Sequence, residues 1–159
     1  MLKKTNLEIK EFNSASNIFL KGYDTIKERT PEDVRLKYAL IKVRKQTLEL
    51  EENIDEEIEK SALDLCVKND KNVIEYTEKG DYVFDKDNQI NFKKKVKEIH
   101  KKSEEVKPHY VEKPEKIGSM FSELTNTLGM QLNLNGFVFK VLTEEEELKA
   151  LELETPSKK

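Results

Sequence analysis

The chain of 159 residues sets 29 lysines and arginines against 32 aspartates and glutamates, and the resulting net charge of −3 lacks the basic excess of an obligatory nucleic-acid binder. With 38% charged residues, 8% aromatics and no tryptophan, it can fill only a modest or elongated core, which suits one domain carrying a projecting arm. The opening MLKKTNLEIK lacks the apolar run of an export leader and no stretch approaches the ~20 apolar residues of a membrane span, so a soluble protein is expected.

Residues 5–21 begin with Thr5 and Glu8 at capping-box spacing, and Leu7, Ile9, Phe12, Ala15, Ile18 and Phe19 recur at steps of mostly three and four, which predicts a helix stopped at Gly22. Thr30-Pro31-Glu32-Asp33 then reads as an N-cap, a proline at the first helical position and acids at the positive end of the helix dipole. No glycine or proline follows until beyond Lys68, and Leu36, Leu40, Val43, Thr47, Leu50 and Ile54 step by four and three, continued by Ile58, Ala62 and Leu65. Such a helix would span roughly 55 Å, and its apolar stripe requires partners.

A third helix is predicted from about Asn88 to Val106 on Phe92, Val96, Ile99, Ser103 and Val106, ended by Pro108. The short link between the second and third helices makes an antiparallel pair the natural arrangement. Within that link, Val73–Thr77 and Tyr82–Phe84 are two strand-prone runs around Lys79-Gly80, read as a β-hairpin over 72–86 that caps the pair. Farther on, 115–128 reads as a short helix. Met130, Leu132 and Leu134 face Phe137, Phe139 and Val141 across Asn135-Gly136 as a second hairpin, and Thr143 opens a final short helix. The first half of the long helix, 34–50, must then be covered by residues 5–21 and 115–142, or by another chain.

The residues offer little chemistry. Cys66, the one cysteine, excludes an internal disulfide and reads as a small buried apolar side chain. Residues 81–92 fail as a calcium loop, because Ile90 stands where glycine is required and Val96 where the bidentate glutamate should be. His100 and His109 have no paired ligand spacing for zinc. No phosphate loop or nucleophile elbow is present, so neither a catalytic residue nor a cofactor is expected. The basic run FKKKVKEIHKK (92–102) would lie opposite the acidic run ELEENIDEEIE (49–59), as register-setting pairs beside the seam. Lys94, Lys95, Lys101 and Lys102 are the residues a nucleic-acid reading would use. Tyr76, Tyr82 and Phe84 are the expected anchors for a protein partner, and Glu52, Asp55, Glu56 and Glu59 belong to an acidic face, 49–59, that would act as a charge mimic toward a host protein.

KKTNLEIKEF, VRLKYALIKVRKQTLELEE, KGDYVFDKDNQINFKKKVKEI and LTEEEELKALE together resemble a family of small proteins of unknown function encoded by tailed bacteriophages and prophages of low-GC bacteria. The resemblance spans most of the chain, except 115–141, and its motifs are structural. It implies a viral origin, a place in the cytoplasm of the infected bacterium or in the virion, and no catalytic role for any residue.

The sequence therefore leads to an α+β, mainly helical, single domain over 1–159. A long antiparallel, coiled-coil-like helical hairpin forms an arm (31–107) with a β-hairpin at its tip, and a C-terminal subregion (113–153) carries a β-hairpin and a short helix. The expected function is a non-enzymatic interaction protein in virion assembly or an accessory role, partnered by a phage structural protein or by its own copies. The alternatives are inhibition of a host defence or replication protein and, more weakly, nucleic-acid binding.

Overall fold

A computed structural model describes residues 1–25, 28–112 and 133–140. These residues are mainly helical with one small antiparallel sheet, in the order β1 (Leu2–Thr5), α1 (Asn6–Tyr23), α2 (Pro31–Leu65), α3 (Lys86–Lys101) and β2 (Ser103–Val106). Both predicted N-termini are closed by reciprocal caps. The Thr5 hydroxyl accepts from the Glu8 N–H at 3.1 Å while the Glu8 carboxylate accepts from the Thr5 N–H at 2.9 Å, and Thr30 and Asp33 do the same at 3.2 and 2.9 Å.

The 35 residues of α2 would extend for about 53 Å, and no single element matches that length. Contacts along it show how the stripe is covered. Leu65 C=O accepts from Asn88 Nδ2 at 3.2 Å and Glu57 pairs with Lys102, so α3 and its C-cap contact the distal part. Then α1 takes over: Asp55 pairs with Lys10 at 3.0 Å, Asn13 Nδ2 donates to the Thr47 C=O and to Glu51, and Lys37 lies 4.6 Å over the Tyr23 ring. The two shorter helices, of 18 and 16 residues, thus lie in tandem along α2, about 27 Å and about 24 Å long.

The joint between them explains a departure from expectation. Ser103 and Val106 fit the helical stripe of the third helix, yet α3 ends at Lys101 and 103–106 is strand β2. The cause is non-local. Asn6, the first residue of α1, donates its backbone N–H to the Lys102 C=O and its Nδ2 to the Ile99 C=O, both at 2.8 Å, and so takes up carbonyls that a longer α3 would have used itself. β1 then pairs with β2, with Lys3 opposite Glu105 and Lys4 opposite Glu104, a favourable charge register. The final residue of β2, Val106, is buried, and Gln46 clamps the following Lys107 backbone through both amide groups at 2.9 and 3.0 Å.

The apolar core lies toward one end of the molecule. Ile9, Phe12 and Phe19 of α1 meet Leu36, Leu40 and Val43 of α2, joined by Ile99, Val106, Leu134, Phe137, Val138 and Phe139. Phe12 and Phe137 stack with ring centroids 4.3 Å apart. Within this seam sits one polar knot, where the Thr47 hydroxyl, fully buried, donates to Asn13 Oδ1.

The expected hairpin around Asn135-Gly136 is corrected in part. The tight turn is present, with Gly136 at φ 82° and its N–H donating to the Phe139 C=O at 2.7 Å. Its described flanks are not facing strands: Asn133 and Leu134 are helical, and Phe137, Val138 and Phe139 are all buried instead of alternating. His109 and Val111 donate to the carbonyls of Phe137 and Val138, so core or chain encloses the turn and no water-facing side imposes a period of two. Met130, Leu132, Val141 and the helices expected over 115–128 and after Thr143 lie outside the described residues.

Candidate functional site

Between Val67 and Glu98 no side chain is buried. The residues linking α2 to α3 are instead held by backbone hydrogen bonds in a closed ring. Val67 N–H donates to Val83 C=O at 2.7 Å, Glu75 N–H to Val67 C=O at 3.0 Å, and Val83 N–H to Glu75 C=O at 3.4 Å. The predicted turn at Gly80 is therefore one of two: Tyr76 and Tyr82 pair antiparallel around it as expected, and a further short extended run at Val67 joins the pair, the three meeting at 67, 75 and 83.

Each run ends in the same local device. Asn69 donates its N–H to Val73 C=O, accepts from Asn72 N–H, and its side chain accepts from Lys71 and Val73 N–H groups. Thr77 repeats this with Asp81 and Gly80, its hydroxyl accepting from Asp81 N–H at 3.1 Å. Asp85, at the corresponding third position, accepts from Asn88 N–H at 2.8 Å and opens α3 as its N-cap. The fourth residue of each turn has positive φ, Asn72 at 62° and Gly80 at 84°, a conformation that asparagine and glycine tolerate. Sequence reading missed this repeat. The signal was there: VKNDKN, EYTEKG and VFDKDN place Asn69, Thr77 and Asp85 at equal spacing, each followed three residues later by Asn or Gly.

The three predicted anchors are brought together. Tyr76 and Tyr82 face each other as an isolated bridge with rings 5.5 Å apart, Tyr82 meets Phe84 edge-on at 6.5 Å, and Phe84 stacks on Phe92 of α3 at 4.9 Å. This ladder climbs from α3 to the outer end of the link, where Tyr76 and Val73 are each 56% exposed. Tyr82 is tied to α2, its hydroxyl donating to the Glu59 carboxylate at 3.1 Å, and that bond holds its phenol above the ordinary value of 10.0.

The charged candidates are dispersed. Of the acidic set, Asp55 is taken by Lys10, Glu56 pairs with Lys60 at 3.3 Å, Glu59 accepts from Tyr82, and Glu52 is exposed. Of the basic set, Lys102 reaches Glu57, Lys95 pairs with Glu98 on its own helix at 3.9 Å, and Lys94 and Lys101 are exposed. Among the described residues only Lys102–Glu57 joins the two runs that were expected to match. The reason is the tandem arrangement: α1, not α3, lies beside Asp55 and Glu51.

Among the described residues no group of three His, Cys, Asp or Glu side chains could hold a metal ion, and no helix is long and apolar enough to cross a membrane. What the arrangement offers is a surface of rings and aliphatic side chains in the link between α2 and α3. No family model, curated protein or solved structure matches the chain.

Proposed function

We propose that the chain is a non-enzymatic interaction protein that engages a protein partner through the link between α2 and α3, the distal half of α2 and α3 forming an antiparallel arm. The observation that carries this reading is the separation of labour along the molecule. The core is completed around α1 and the first part of α2, yet a ladder of four aromatic rings is built where nothing is buried. Val73, Tyr76 and Ile90 stay about half exposed there and contribute little to folding, while aromatic anchors of this kind dominate binding energy at interfaces. The resemblance to phage-encoded proteins supports a role in virion assembly or as an accessory factor during infection. Inhibition of a host protein through Glu52, Asp55, Glu56 and Glu59 is weaker, since three of the four already hold partners within the chain.

The test is affinity capture from phage-infected cells with the intact chain and with a Val73→Ser, Tyr76→Ser, Ile90→Ser variant. The variant should keep its unfolding midpoint and lose a partner that the intact chain retains reproducibly. Retention of the same partner by the variant would place the contact elsewhere, and a strict monomer absent from purified virions would remove the assembly role.

A further inference from the structure

The outer side of α2, opposite the buried Leu36, Leu40, Val43 and Thr47, is patterned in sevens. Val34, Tyr38, Ile41, Lys45 and Leu48 follow steps of four, three, four and three along it, and all are exposed, Tyr38 by 64%. Along one flank of this stripe stand Arg35, Lys42, Glu49 and Glu56, each seven residues from the next and each exposed: two cations, then two carboxylates. The change of sign is general. The segment 34–48 contains Arg35, Lys37, Lys42, Arg44 and Lys45 and no acidic residue, whereas 49–59 contains seven acidic residues and no basic one. Among the described residues no ion pair involves Arg35, Lys42 or Glu49, and Glu56 holds only the exposed Lys60 one turn further on.

We propose that this face binds the same face of a second copy of the chain, the two α2 helices lying antiparallel about a twofold axis between Lys45 and Gln46. In that arrangement Arg35 comes level with the partner's Glu56, and Lys42 with the partner's Glu49. Both pairs share one midpoint in the sequence, so a single register satisfies them together, and symmetry doubles them to four. Ile41 and Leu48, on either side of that midpoint, bring apolar surface of both copies to the axis. The contact from Arg35 to Glu56 runs for about 32 Å. A parallel pair would set basic half on basic half and acidic half on acidic half. A polyanion or an anionic lipid surface would be drawn to 34–48 and repelled by 49–59, so a second copy is the occupant that meets both halves at once. Exposed pairs of this kind are individually weak and screened by salt, and the association is correspondingly reversible. Pairing in this way sets the two links at opposite ends, with the two Leu65 positions about 59 Å apart.

Sedimentation velocity of the full-length chain over a range of concentrations tests this by charge exchange. The intact chain should show a monomer–dimer equilibrium whose dissociation constant rises about tenfold from low to high salt. The variant Arg35→Glu, Lys42→Glu carries four carboxylates along the flank, and Glu49→Lys, Glu56→Lys carries four cations. Each alone should dimerise roughly 100-fold more weakly, and an equal mixture of the two should recover the dimer as a heterodimer. All four positions are exposed, so far-ultraviolet circular dichroism should not change. An intact chain that stays monomeric at every concentration and salt would overturn the proposal. So would a dimer that either variant retains, or variants that fail to pair on mixing although the intact chain dimerises. The Val73→Ser, Tyr76→Ser, Ile90→Ser variant should dimerise as the intact chain does, which keeps this outcome separate from the function proposed above.

Discussion

The polar knot between α1 and α2 allows the tandem arrangement to be tested by a double-mutant cycle. Thr47→Val is nearly isosteric, so it opens no cavity; it removes the hydroxyl that donates to Asn13 Oδ1 and leaves that oxygen buried without a donor. Stranding a buried acceptor costs about 1–3 kcal/mol. Asn13→Leu strands the Thr47 hydroxyl, for which the carbonyls of Val43 and Arg44 stand 3.4 Å away as fallback acceptors, but it also removes the Nδ2 bonds to the Thr47 C=O and the Glu51 carboxylate, so its cost should be larger, about 2–4 kcal/mol. In the double variant both polar groups are gone and two apolar side chains of similar volume face each other. It should cost about what Asn13→Leu costs alone, because the bond between the hydroxyl and Oδ1 is already lost there, which makes the coupling comparable to the cost of Thr47→Val. Urea unfolding followed by far-ultraviolet circular dichroism gives all four corners, with an unchanged slope confirming that only stability has moved. If the double variant costs the sum of the singles, the two side chains do not face each other and α1 does not lie on α2 in this register.

Three further outcomes are expected. Ile99→Ala, fully buried at the joint, should cost about 3–4 kcal/mol in the same assay, and a cost below about 1 kcal/mol would mean that the joint is not packed. Gly80→Ala should cost about 1 kcal/mol from its backbone alone, because φ is +84° and nothing lies within 4 Å of the added methyl group, and a neutral result would deny the positive φ. Since the folded-state pKa of Tyr82 lies above its ordinary 10.0, the Glu59 bond contributes fully below that value and is lost as pH rises through the folded pKa. Ultraviolet titration of phenolate, differenced against Tyr82→Phe, should show late ionisation of this tyrosine, brought down by Glu59→Gln.

What the sequence revealed was whatever is decided locally. Thr5 with Glu8, and Thr30-Pro31 with Asp33, marked helix starts because a cap is a contact between residues three apart. The end of α3 was not legible, because Ser103 and Val106 suit either period and the choice is made by Asn6, 93 residues distant from Ile99 in sequence. The Asn135-Gly136 turn was readable as a turn, but alternation beside it presumes one face in water, and Phe137 to Phe139 have none. In the link, the aromatic residues drew the eye to Gly80, while the polar residues Asn69, Thr77 and Asp85 specified the geometry. The predicted anchors Tyr76, Tyr82 and Phe84 do converge; the acidic and basic runs do not, since which helix faces which depends on a joint no local pattern records.

That joint also governs how the molecule would carry a load. A pull at Tyr76 is transmitted to Leu36 along one unbroken backbone, with α1 and α3 acting as separate splints that abut at Asn6. The distal splint is the weaker fastening, since Ile99 is its one buried residue among those described and its other ties, Asn88 to the Leu65 carbonyl, Lys102 to Glu57 and the strand pair beyond it, are polar. Under tension it would peel first, from the far end inward, and stop where Asn6 and Ile99 are clamped, leaving the packed end of the strut intact.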